Sequence, residues 1–98
     1  MSGRRSKRKG SRIEREFANR IGGKRVPLSG ASKGYKGDVV GLGMTWEVKG
    51  RKDGFKMLYG WLGGEGIDAL SIKSDRKDFL VVLPLEKFLE IKNNGGHK

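Results

Sequence analysis

Apolar residues recur at helical spacing early in the chain, where Ile13, Phe17, Ala18 and Ile21 share one face. Ser11 stands where an N-cap would, and Glu14 follows three residues on, the spacing of a capping box. Gly22 and Gly23 end the pattern, so a helix is predicted over 12–21. Residues 1–10 (MSGRRSKRKG) show no apolar period and read as a flexible basic arm.

The period then shortens. Arg25–Leu28 reads as a short extended piece, and Ser29–Lys36 (SGASKGYK) as a loop. Asp38–Leu42 and Met44–Lys49 are short apolar runs separated by Gly43, which predicts an antiparallel hairpin. Gly50–Gly54 interrupts the pattern. Phe55–Leu62 (FKMLYGWL) fits a helix or a strand, and its apolar density with the Gly cluster that follows favours a short helix. Ile67–Lys73 alternates loosely as a strand, and Phe79–Leu83 reads as a buried strand. Pro84 can open a last helix over Leu85–Lys92, with Leu85, Phe88, Leu89 and Ile91 on its apolar face. Asn93–Lys98 is a polar tail, expected to be disordered. The expected order is α-β-β-β-α-β-β-α, an α/β sandwich with a mixed sheet of about five strands flanked by helices, in one domain over residues 11–92. Trp46, Trp61, Phe79 and Phe88 are assigned to core or interface, and Tyr35 in its basic loop to base stacking.

Charge changes this picture most. The 98 residues carry a net charge of +11. Residues 1–52 hold 15 Lys/Arg against four acids, whereas residues 53–98 hold seven of each sign. The whole excess therefore lies in the first half. A solubility tail would account for residues 1–9, but basic residues continue through Arg12, Arg15, Arg20, Lys24, Arg25, Lys33 and Lys36. Lys and Arg gain by displacing counterions condensed on phosphate, so nucleic acid is the expected partner. Membrane binding would need an amphipathic basic helix with a strong apolar face, or a lipid anchor, and neither is evident. No apolar run approaches a membrane span, no secretory h-region follows the basic start, and Cys is absent. These features lead us to expect a cytoplasmic protein. With 35% hydrophobic residues the core is modest, which favours homodimerisation.

The candidate chemistry lies in Gly37-Asp38-Val39-Val40 and Trp46-Glu47-Val48-Lys49. Alternation along a strand sends Glu47 and Lys49 to one face and Val48 to the other, and hairpin pairing can bring Asp38 beside them. Carboxylate and carbonyl oxygens are hard ligands suited to Mg²⁺, with Mn²⁺ as a substitute. Lys49 can orient a water or offset charge on a transferring phosphoryl group. The Gly30–Lys36 loop lacks the G-x-x-x-x-G-K-[ST] pattern, so no nucleotide cofactor is expected. His97, in the polar tail, is assigned no ligand role.

This constellation resembles the PD-(D/E)-x-K nuclease core, with Asp38, Glu47 and Lys49 in the motif positions and Gly37 where the motif has Pro. Lys7-Arg8-Lys9-Gly10-Ser11-Arg12-Ile13-Glu14-Arg15 is similar to the opening of archaeal-type Holliday junction resolvases, and Ser29-Gly30 to their Ser-Gly loop. The resemblance covers roughly residues 7–52. It implies a restriction-endonuclease-like fold and a twofold dimer that cuts opposed strands of a four-way junction. It further implies Glu14, Asp38, Glu47 and the Val48 carbonyl as metal ligands, Lys49 as water or phosphate partner, and Ser29 as a phosphate-positioning hydroxyl. Backbone contacts to DNA are expected from Arg4, Arg5, Lys7, Arg8, Lys9, Arg12, Arg15, Lys33, Lys36, Arg51 and Lys52. Segment 55–66 is shorter and richer in Gly than the family's helix there. Two other functions fit the same residues: the same nuclease core acting on nicked, flap or fork DNA, and a non-catalytic basic DNA-binding module.

Overall fold

The structure, a computed structural model, describes residues 2–26 and 37–95, with side chains from residue 11 onward. It divides into two compact units, Met1–Lys52 and Asp53–Lys98. The expectation of one mixed sheet of about five strands is corrected. Among the described residues there are two separate sheets, and every ladder is antiparallel.

Unit 1 opens with α1, Ser2–Ile21, and continues with β1 (Lys24–Arg25), β2 (Val39–Gly41) and β3 (Met44–Trp46) in the order β1-β2-β3. The helix begins ten residues before the expected start, so residues read as an arm continue it. Arg and Lys are good helix formers, and a helix can extend from a packed anchor without an apolar face of its own. Ser11 consequently lies inside α1 rather than at its N-cap.

An i, i+4, i+8 stripe fastens α1 to the sheet. A Cβ at Gly50 would overlap the Ile13 side chain, the Phe17 ring meets Trp46 edge-on with centroids 5.0 Å apart, and the Ile21 Cδ1 lies against Gly41. Ala18, Ile21 and Val39 are the buried core, and Val39 is fully enclosed. Strand register places Arg25, Val39 and Trp46 in one row across the three strands, and side chains in such a row share a face. That face is turned to α1. The β2–β3 turn uses Leu42 and Gly43 at φ 55° and 72°, positive at both positions as a type I′ hairpin requires. Trp46 Nε1 donates to the Gly41 carbonyl at 3.1 Å and braces this turn.

Unit 2 contains α2 (Lys56–Leu62), the hairpin β4 (Leu70–Ile72) with β5 (Leu80–Val82), and α3 (Leu85–Gly95). The helices expected over Phe55–Leu62 and Leu85–Lys92 are both present, the second running three residues further. β5 was expected to be buried, yet Leu80 and Val81 are 64% and 67% exposed. A two-stranded ladder has no second layer of its own to cover either face. No helix among the described residues is long and apolar enough to cross a membrane.

Candidate metal and nucleic-acid site

Asp38 immediately precedes β2, and its backbone is fixed on both sides. Its carbonyl accepts from the Val26 N–H at 2.8 Å, and its N–H donates to the Trp46 carbonyl at 2.7 Å. Its side chain is fixed as well, because Oδ2 accepts a hydrogen bond from the Val48 N–H at 2.7 Å. This bond spans the gap between the strand that bears the acid and the acid-x-lysine segment. That segment lies just past the end of β3 and not within it, a correction to the expected strand over Met44–Lys49. Alternation nevertheless persists: Glu47 and Lys49 are exposed and Val48 is half-buried between them.

Gly37 explains the missing motif Pro. Its φ is +80°, beyond the reach of a proline ring fixed near −65°. A Cβ there would also lie 2.9 Å from the Trp46 carbonyl oxygen. Glycine lets the chain turn tightly against β3 and deliver Asp38 to Val48.

The three expected carboxylates are each compensated locally. Glu14 Oε1 accepts from Arg25 Nε at 3.3 Å, and the two side chains are 23% and 35% exposed. Arg25 Nη2 also donates to Ser11 Oγ at 3.3 Å. Glu47 pairs with Lys49 at 3.1 Å on the open surface. Among the described residues, no three acidic or imidazole groups converge into one cluster. Like-charged carboxylates repel, so each settles on its nearest donor. Ile13 against Gly50 still sets Glu14 on the helix turn beside the end of the acid-x-lysine segment.

The donor chemistry fits a hard divalent cation. Among the described residues Asp38 is bonded through Oδ2, Glu47 is exposed, and both offer hard carboxylate oxygens. Asp38 and the Val48 backbone are brought together, Glu47 is adjacent to Val48 in the chain, and Glu14 pairs separately with Arg25.

Of the expected DNA contacts, Arg12 and Arg15 are exposed on α1, and Arg51 and Lys52 are exposed directly after the acid-x-lysine segment. Arg51 Nη1 donates to the Gly50 carbonyl at 2.8 Å. Arg4, Arg5, Lys7, Arg8 and Lys9 ride on the first half of α1, and their side chains lie outside the description. Ser29, Lys33, Lys36, Tyr35 and His97 lie outside the described residues. Arg25, the partner of Glu14, was not among the expected site residues. The available signal was its position, a cation between the Glu14 helix and the Ser-Gly loop.

No protein-family model matches the chain, and neither a curated protein nor a solved structure matches it significantly.

Proposed function

We propose that the chain is a divalent-cation-dependent DNA endonuclease that resolves four-way (Holliday) junctions as a twofold dimer through paired symmetric nicks. The observation that carries this reading is the Asp38 carboxylate held at 2.7 Å by the Val48 N–H, between Glu47 and Lys49. The bond fixes a part-buried carboxylate beside an acid-x-lysine segment and leaves its second oxygen for a ligand, an arrangement that suits a charged site. Asp38, Glu47, the Val48 carbonyl and Glu14 would hold Mg²⁺ or Mn²⁺. Such an ion, when bound, activates a water and neutralises phosphate charge. Lys49 leaves Glu47 for the scissile phosphate or the attacking water and offsets charge developing on the phosphoryl oxygens. Ser29, carried over by resemblance, positions the phosphate.

DNA binding is supported by the one-sided charge, with 15 Lys/Arg in residues 1–52 and exposed Arg12, Arg15, Arg51 and Lys52 on the unit that bears the acids. Contacts of this kind read phosphate spacing and branch shape, not base sequence. Dimerisation is supported by unit 2, where Trp61, Phe79, Leu80 and Val81 are each more than half exposed. A dimer offers one active centre to each of two opposed strands.

The separate ion pairs of Glu14 and Glu47 favour a second reading, a non-catalytic basic DNA-binding protein. A cleavage panel of four-way junction, flap, nicked duplex and plain duplex separates the two. The nuclease reading expects Mg²⁺-dependent cutting, greatest on the junction and absent with EDTA. Equal cutting of flap or nicked DNA would move the substrate assignment, and no cutting of any substrate would leave the binding module.

A further inference from the structure

Unit 2 lacks what unit 1 has, an enclosed centre. No side chain described in it is buried, and nine of the eleven large apolar side chains that stand exposed among the described residues belong to it. The exposure is continuous along β5, where Phe79, Leu80 and Val81 are 59%, 64% and 67% exposed. Because these residues are consecutive, both faces of the strand are uncovered. Among the described residues β5 has a ladder partner on one edge only, β4, and its other edge is open. An edge strand is ordinarily guarded by a charge or a proline, yet Phe79-Leu80-Val81-Val82 contains neither. β4 is less bare, with Leu70 and Ile72 half-buried. A lone two-stranded ladder is marginal in water, and a third strand or a covering layer is what stabilises it.

We infer that β5 pairs antiparallel with β5 of a second copy of this chain, so that two hairpins join into one four-stranded sheet about a twofold axis and unit 2 finishes its core only in the dimer. The inference rests on the dimer reading above and names the strand that makes the contact. Two observations favour a second copy as the occupant. The first is charge: residues 53–98 hold seven basic and seven acidic residues, so two such units meet without net repulsion, whereas two copies of unit 1 would bring the whole positive excess together. The second is self-complementarity. A run of four apolar residues turned end for end sets apolar against apolar whichever residue lies on the axis, so an isologous contact needs no other surface. The pairing uses the one open edge of each β5 and therefore stops at two copies.

The test is sedimentation equilibrium of the full chain without DNA, on wild type, Val81→Lys and Tyr59→Lys, with circular dichroism of each to verify folding. A twofold near the middle of β5 brings the two Val81 side chains within cross-strand reach, so Val81→Lys sets like charges there. Tyr59, on α2, is 74% exposed, so Tyr59→Lys adds the same charge at a bare apolar position away from β5. Val81→Lys is expected to dimerise about tenfold or more weakly than wild type, and Tyr59→Lys to stay within about threefold of it. Amide hydrogen exchange of wild type decides the matter if Val81→Lys unfolds: peptides spanning residues 79–82 are expected to gain protection as rising concentration converts monomer to dimer. A dimer that Val81→Lys leaves intact, one that Tyr59→Lys weakens as much, or exchange at residues 79–82 that does not respond to concentration overturns the inference and leaves the dimer with another surface. If wild type stays monomeric at every concentration, the dimer reading and this inference fall together, while the cleavage panel judges the nuclease assignment separately.

Discussion

Asp38 combines a structural bond with a proposed chemical role, and two substitutions separate them. Asp38→Ala removes the acceptor of the Val48 N–H, a 2.7 Å bond in a part-buried setting. A hydrogen bond to a charged acceptor contributes about 1.5–3 kcal/mol, and partial exposure favours the lower end of that range. The backbone bonds to Val26 and Trp46 survive, so the strand itself persists. We expect a loss of about 1–2 kcal/mol in urea unfolding for Asp38→Ala. Asp38→Asn keeps an amide oxygen facing the N–H and should lose only about 0.5–1 kcal/mol. Cleavage should respond differently, because a neutral amide is a poor ligand for a hard cation. If the cation supplies about 3–4 kcal/mol of transition-state stabilisation, both variants should cut at least a hundredfold more slowly than wild type. The assays are urea unfolding by tryptophan fluorescence and single-turnover nicking of a labelled junction. Near-wild-type nicking by Asp38→Asn would refute the chemical role. Equal destabilisation by the two variants would refute the structural one.

Other substitutions probe the frame and the DNA surface. Gly37→Ala should cost about 1–3 kcal/mol in the same unfolding assay, since φ is +80° and the new Cβ meets the Trp46 carbonyl. Val39→Ala, at the enclosed centre of unit 1, should cost about 2–3 kcal/mol, and a loss below about 1 kcal/mol would mean that the α1–sheet interface is not the core. Replacing Arg12 and Arg15 together with Gln should reduce the slope of log affinity against log salt by about one to two in gel-shift titrations. An unchanged slope would take the exposed face of α1 out of the DNA surface.

The helix stripe was readable because Ile13, Phe17 and Ile21 stand four residues apart, and the structure sets Phe17 and Ile21 against the sheet and Ile13 against Gly50 beyond it. The hairpin was readable from Gly43, although Leu42 also takes a positive φ, which a β propensity scale does not foresee. The start of α1 was not readable, because a basic helix without an apolar face leaves no period to detect. Nor was the division into two sheets. Short apolar runs such as Leu70–Ile72 and Leu80–Val82 reveal that strands exist, but their partners are decided by contacts distant in sequence. At the site, the proximity of Asp38 to the acid-x-lysine segment followed from hairpin pairing. The pairing of Glu14 with Arg25 did not, since the two are eleven residues apart and meet only through the packing of α1 on β1. Gly37 looked like a departure from a motif, and its backbone angle supplies the reason.

The most direct measurement compares wild type with Glu47→Ala on a labelled four-way junction, in Mg²⁺ and in EDTA, with binding followed in parallel by gel shift. The account predicts paired nicks at symmetric positions for wild type in Mg²⁺ only, and for Glu47→Ala full binding with no nicks. Nicking by Glu47→Ala at the wild-type rate, or tight junction binding by wild type with no metal-dependent nick, would contradict it.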